Sequence, residues 1–203
     1  MPSAMPIIAS LTAPFQIRHP TVRFTLITRT ADEVTKLLHE REIDAGVRYV
    51  NGESLDDVQE LPLYREEYLL LTTLDGPFGG CDRVAWKQLA ELPLCLFTPN
   101  LQHRRIVDNA LREAGVCASP TIETDSVLAL TTHVLTGNWV SVVSSLIVNA
   151  IDLSGPLRVV PISKPTITHM IGLVVSRRFS VLPTVVRLLE EAREGALTAK
   201  RRR

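Results

Sequence analysis

Val22-Arg-Phe-Thr-Leu-Ile27, followed by Asp32-Glu-Val-Thr-Lys-Leu-Leu-His-Glu-Arg-Glu-Ile-Asp-Ala-Gly-Val47, is the stretch whose reading decides the fold. Val22, Phe24 and Leu26 alternate as the side chains of a half-buried strand do, whereas Val34, Leu37, Leu38 and Arg41 recur at helical spacing. Thr30 and Glu33 precede that apolar face at the spacing of a capping box, in which hydroxyl and carboxylate satisfy free N–H groups of the first turn. Ile43-Asp-Ala-Gly-Val47 then reads as a second strand. Strand, helix and strand in so few residues is a βαβ unit, whose two strands run parallel.

The pattern Leu38-x-x-Arg41-x-Ile43-Asp44-x-x-Val47, downstream of Phe15-x-x-Arg18-x-Pro20-x-Val22, resembles the start of the effector-binding domain of LysR-type transcriptional regulators. The family usually carries Gly where Arg41 stands, because a left-handed residue ends the helix there at no steric cost; Arg41 implies a different helix stop. The resemblance continues over nearly the whole chain. It implies an α/β, two-lobed, periplasmic-binding-protein-like (type II) fold with an interlobe cleft. Residues 1–72 and 169–203 would form lobe I, and residues 73–168 lobe II. In the family a short strand precedes the counterpart of Pro2-Ser3, so the first strand of lobe I is expected to be missing here, leaving reduced stability or a place in the sheet for another segment.

With 203 residues and 45% apolar composition, the chain can bury the core of one large domain or two lobes. Twenty-two basic residues balance 22 acidic ones, so the net charge gives no pull toward nucleic acid or membrane. Lys200-Arg-Arg-Arg203 reads as a solvated tail. Cys81, Cys95 and Cys117 form neither a metal-ligand spacing nor an even disulfide set, which points to a reducing compartment, with Cys95 in the core run Leu94-Cys-Leu-Phe97. No signal peptide or membrane span is visible, and a cytoplasmic location is expected.

Along the chain, Ile7, Ile8, Leu11 and Phe15 share a helical face that Pro14 is expected to kink or split. Leu61-Pro-Leu-Tyr64 and Tyr68-Leu-Leu-Leu71 read as two strands, with the first passage between lobes near Thr72. Trp86 to Ala90 reads as a short helix. Leu94-Cys-Leu-Phe97, a helix capped by Asn100 and stopped by Gly115, Pro120-Thr-Ile-Glu-Thr124, a helix capped by Asp125-Ser126 and stopped by Gly137, and Trp139-Val-Ser-Val-Val143 follow in turn. That alternation is the signature of a parallel α/β lobe. The family's glycine-rich segment at this point matches only at Gly137, since Trp139 and Ser144 replace its second glycine and its proline. Leu157-Arg-Val-Val-Pro161 and Met170-Ile-Gly-Leu-Val-Val175 are further strands, and Val181 to Ala192 is a closing helix.

Ligands of open parallel sheets gather at the carboxyl ends of strands, where helix N-termini offer free N–H groups and a positive dipole end suited to small anions. Thr98-Pro-Asn100, Asp125-Ser126 and Thr28-Arg29-Thr30 all stand at such hand-over points. The resemblance implies that Ser3 and Thr98 contact the effector. Arg29 is a candidate for a bidentate contact, with a solvated strand-end charge as the alternative. Asn100 and Ser126 serve equally as ligand contacts or plain caps, and His103 as a cleft-facing or a surface residue. His19, His39, His133 and His169 lack partners at metal spacing. No G-x-S-x-G elbow surrounds Ser144-Ser145, and there is neither a Walker loop nor G-x-G-x-x-G.

The sequence thus reads as the effector-sensing domain of a LysR-type regulator, not an enzyme and without a cofactor. It would bind a small molecule, a carboxylate or other anion, and act as a homodimer that reaches DNA only through a domain absent from this chain. The alternative is a solute-binding protein of a transport system.

Overall fold

The computed structural model describes residues 5–50, 57–117, 119–151, 155–178 and 182–201. Its chain divides into two compact units, the first holding the stretches up to Arg65 and from His169 onward, the second Glu66–Thr168.

In the first unit, α1 (Met5–Arg18) runs unbroken through Pro14, where a kink or split was expected. It buries Ile7 and Phe15, the latter against the rings of His19 and Phe24. Helix α2 (Ala31–Glu40) starts on the anticipated capping box: Glu33 N–H donates to Thr30 Oγ1 at 3.3 Å and Thr30 N–H to Glu33 Oε2 at 2.8 Å. These bonds hold the Glu33 carboxyl below its usual pKa.

The helix ends as the family pattern would have it, but on an arginine. Arg41 itself adopts the left-handed conformation, φ 63°, and Glu42 N–H closes onto Leu37 O at 2.9 Å. A different stop is therefore unnecessary, because the turn's hydrogen bonds hold a side chain in a backbone region costing roughly 1–2 kcal/mol. Arg41→Gly is expected to stabilise the chain by about 0.5–1 kcal/mol, after the extra freedom of glycine in the unfolded state is deducted. Urea unfolding would read this as a higher midpoint at unchanged slope.

Strand β1 (Ala45–Tyr49) pairs antiparallel with β8 (Thr168–Ser176), Ala45 opposite Val175 and Tyr49 opposite Ile171. No strand forms over Val22–Ile27, so the expected parallel pairing with the segment after α2 is absent among the described residues. Val22 and Phe24 are half-buried while Leu26 and Ile27 are exposed. The alternation is real, but a strand also needs a ladder, and here a groove borders both segments. Val34, Leu38, Val50, Val58 and Val174 form the core of this unit. The Arg18 and His19 side chains both bind Glu191 of α6 (Pro183–Arg201), His19 Nε2 at 3.0 Å, tying α1 to α6 and lowering the Glu191 pKa.

His169, half-buried with its ring 5.9 Å from that of Tyr49, has its pKa pushed below the ordinary 6.5 by desolvation. The unfolded chain takes up this proton near 6.5 and the folded chain resists it, so His169 lowers stability progressively as pH falls below that value. His169→Gln is expected to flatten the stability–pH curve on the acid side of 6.5, measured by urea titrations at stepped pH.

Strand β2 (Val58–Thr73) is one continuous strand of 16 residues, not the two short ones expected. Arg65-Glu-Glu67 looks like a polar break in the sequence, but the strand runs through it because Glu66 is buried and its carboxylate accepts the Tyr68 hydroxyl at 3.3 Å.

Within the second unit, β2 pairs antiparallel with β6 (Ser141–Ser144) and β7 (Leu157–Ser163), and β3 (Val84–Ala85) pairs parallel with β7. A 3-10 turn over Trp86–Glu91 follows β3. Strands β4 (Cys95–Phe97) and β5 (Ile122–Thr124) are parallel, and Leu94 makes a parallel bridge to Val140 ahead of β6. Helices α3 (Gln102–Glu113) and α4 (Val127–Leu135) connect them, which is the anticipated strand–helix alternation, and α5 (Ser145–Val148) follows β6. Leu71, Cys95, Phe97, Leu101, Leu130 and Val134 belong to one core cluster. Cys95 is buried and its thiol pKa is raised by desolvation, whereas Cys81 and Cys117 are exposed.

Among the described residues no helix is long and apolar enough to cross a membrane.

Candidate functional site

Parallel β4 and β5 end side by side, and that alone brings two helix starts together. Thr98 N–H donates to Thr124 O at 3.1 Å, and Ser126 N–H donates to Thr124 Oγ1 at 3.1 Å. Thr124 therefore joins the residues that open the turns into α3 and α4.

Ser126 is the N-cap of α4, its Oγ accepting from Ala129 N–H at 3.2 Å, as the sequence suggested. Asn100 is exposed and is not the cap of α3. The N-cap is Leu101, whose side chain has no acceptor to offer. The chain turns one residue further than expected because Leu101 N–H closes on Thr98 O at 3.1 Å and Leu101 buries itself in the core. The first-turn N–H groups of α3 thus receive no side-chain cap.

Thr98 Oγ1 is buried and has no hydrogen-bond partner among the described residues. A hydroxyl in that condition costs stability unless something is bound to it. Beside the same turn stands a cation: Arg105 is exposed and its Nε donates to Pro99 O at 3.4 Å. Taken together, one buried hydroxyl, one uncapped helix start and a neighbouring guanidinium suit a small anion.

His103 is buried at 5% exposure, against its surface reading, with its ring 5.3 Å from Tyr68 and 5.0 Å from Phe97. A histidine one turn into a helix reads as exposed only if that face is solvated, and α3 turns this face inward.

Arg29 lies in the first unit, exposed, with Nη1 donating to Thr28 O at 2.9 Å. Ser3 lies outside the described residues.

Sequence reading missed Arg104, which locks the platform under the site. Its guanidinium donates to Phe97 O at 2.7 Å, Glu123 Oε1 at 2.6 Å and Asp108 Oδ1 at 2.8 Å. Burial works against its charge, but the bonds to Asp108 and Glu123 prevail and raise its pKa. The i,i+4 spacing to Asp108 was readable; the contacts to β4 and β5 were not.

Among the described residues no group of three or more His, Cys, Asp or Glu side chains is placed to hold a metal ion.

Comparison with known proteins agrees with this architecture. A family model described as the LysR substrate binding domain matches residues 2–197. A probable nitrogen assimilation transcriptional activator of Synechococcus elongatus is 25% identical over 189 residues, an alignment that takes in 92% of this chain and 60% of that protein. The Synechocystis CcmR regulatory domain in complex with 2-PG superposes with a TM-score of 0.84 at 15% identity, covering 96% of this chain and 93% of that one. The effector binding domain of QuiR in complex with shikimate does so with a TM-score of 0.77 at 16% identity, covering 94% and 90%.

Proposed function

Since the chain belongs to the LysR substrate-binding domain family, we propose that it is the effector-sensing part of a transcriptional regulator, binding a small carboxylate or similar anion at the turns that open α3 and α4. The observation that carries this reading is the buried Thr98 hydroxyl without a partner, beside the uncapped start of α3. Ligands named for two solved relatives, 2-PG and shikimate, support a small-molecule effector. Ser126 and Asn100 would add contacts from the same end of the β4–β5 pair.

Effector binding would act by favouring one arrangement of the regulator over another, and can do so only through a difference in affinity between them. The regulator would work in the cytoplasm as a homodimer, meeting DNA through a region outside this chain, which spans 60% of the length of its Synechococcus relative. Catalysis forms no part of the proposal. A transport role is not favoured, given the family match.

A thermal-shift screen of small carboxylates, shikimate among them, amino acids and phosphate esters tests the reading. The expected result is a hit whose affinity falls at least about tenfold in Thr98→Val, which replaces the hydroxyl by a methyl of the same shape and removes a charge-assisted bond of roughly 1.5–3 kcal/mol. A hit bound equally well by Thr98→Val would take Thr98 out of the site.

A further inference from the structure

Next to the turn that opens α3, the second unit buries three titratable side chains that the proposed function does not use: Glu66 is 0% exposed, Tyr68 3% and His103 5%. Tyr68 joins the other two. Its hydroxyl donates to Glu66 Oε2 at 3.3 Å, and its ring lies 5.3 Å from that of His103. His103 also meets Phe97 edge to face at 5.0 Å, and Phe97 is the residue before Thr98. Because His103 stands in the first turn of α3, two residues after the N-cap Leu101, its own backbone N–H is among the groups an anion there would meet. The remaining charges nearby are engaged or solvated. The Arg104 guanidinium is held by Phe97 O, Asp108 and Glu123. Arg105 is exposed, as are Lys87 and Glu91 of the 3-10 turn that packs on α3.

We propose that anion binding at this turn is proton-coupled, with His103 taking up a proton from solvent as the anion arrives. The proposal rests on the anion reading of the α3 start and adds to it a regulation by pH. With the turn empty, burial and the positive end of the α3 dipole both favour the neutral ring. An anion offsets the dipole, since its charge sits against the same first turn and attracts a neighbouring imidazolium at low effective dielectric. Glu66, reached through the Tyr68 phenol, adds a buried carboxyl on the β2 side of the ring. The coupling is reciprocal: the factor by which the anion favours protonation is the factor by which protonation tightens the anion. The ring therefore titrates at higher pH with the anion than without it. Affinity rises as pH falls, changes most between those two midpoints, and is constant above the higher one. A regulator built in this way responds to its effector and to acidity together.

The test titrates the best carboxylate hit of the screen, which keeps its charge from about pH 5.5 to about pH 8, into the chain at stepped pH by calorimetry, and follows the His103 ring by NMR. Kd is expected to be at least about fivefold lower at the acid end of that range, and the His103 midpoint to rise on saturation by the matching amount, at least about 0.7 in pH. His103→Gln should abolish the pH ratio, whereas Thr98→Val should weaken binding at every pH and keep it. Equal Kd at both ends of the range, for a ligand that Thr98→Val weakens, would overturn the proton link and leave the site standing. So would a pH ratio that survives in His103→Gln, because another group would then carry it. Asn100→Asp supplies an arm without ligand: it sets a carboxylate on the exposed residue just ahead of α3 and is expected to raise the His103 midpoint by about 0.3–0.5 in pH. An unmoved midpoint there would overturn the link whether or not any ligand is found, which separates its failure from that of the anion reading. The ring titrations need no substitution at position 103, so the question is decided even if His103→Gln does not fold.

Discussion

Trp86→Ala is expected to destabilise the second unit by about 3–5 kcal/mol, the cost of emptying a fully buried aromatic site that can collapse only in part. Trp86 has 0% exposure, sits at the start of the turn after β3, and its indole N–H donates to Pro165 O at 2.9 Å. Against a total stability of about 5–15 kcal/mol for a natural domain, that loss would remove from about a fifth to all of it. Trp86→Phe separates the two contributions: most apolar contact is kept, and the Pro165 carbonyl loses its donor at about 1 kcal/mol. Urea unfolding followed by circular dichroism should place the midpoints in the order wild type, Phe, Ala. A wild-type midpoint for the alanine variant would mean that the site is not closed around this ring.

Arg104→Ala should follow it in size and reach further into function. Removing one member of a buried ion pair costs about 3–5 kcal/mol. Glu123 is 41% exposed and can rehydrate, so about 2–3 kcal/mol is expected here. The variant also leaves Phe97 O without the guanidinium that holds it, directly beside Thr98. Arg104→Lys should recover less than half of the loss, because a single ammonium cannot span Phe97, Asp108 and Glu123 as the planar fork does. Calorimetric titration at a temperature where the variants remain folded is expected to show weaker effector binding for both. Unchanged affinity in a folded variant would reduce Arg104 to a purely structural residue.

What the sequence made legible was local. The Thr30–Glu33 box and the Ser126 cap involve partners three residues apart, and both formed as read. The alternation of strand and helix from Cys95 to Ser144 was likewise written in periodicity and in the stops at Gly115 and Gly137, whose φ of 78° and 79° glycine takes without strain. Legibility failed where main-chain hydrogen bonds, burial or a missing neighbour decide, rather than the pattern of residue types. Arg41 adopts a left-handed turn that its side chain disfavours because Leu37 and Leu38 carbonyls fix the backbone. Glu66 passes for a loop residue until it is seen buried within β2, its carboxylate accepting the Tyr68 hydroxyl. Val22–Ile27 carries a strand's pattern without the neighbour that would make it one. Asn100 and Leu101 differ by one residue, yet that shift turns an expected self-capped helix into one whose start lacks a side-chain cap. Thr98 was picked by resemblance, and its buried hydroxyl supplies a physical reason that the sequence could not.

Anion binding where α3 and α4 begin is read in a backbone-amide chemical-shift map of the wild-type chain, recorded as the best hit of the carboxylate screen is titrated to saturation. Saturable shifts are expected on residues 98–105 and 126–130, with their midpoint moved to at least about tenfold higher ligand concentration in Thr98→Val. Saturable shifts confined to other parts of the chain, with residues 98–105 and 126–130 unmoved, would contradict it.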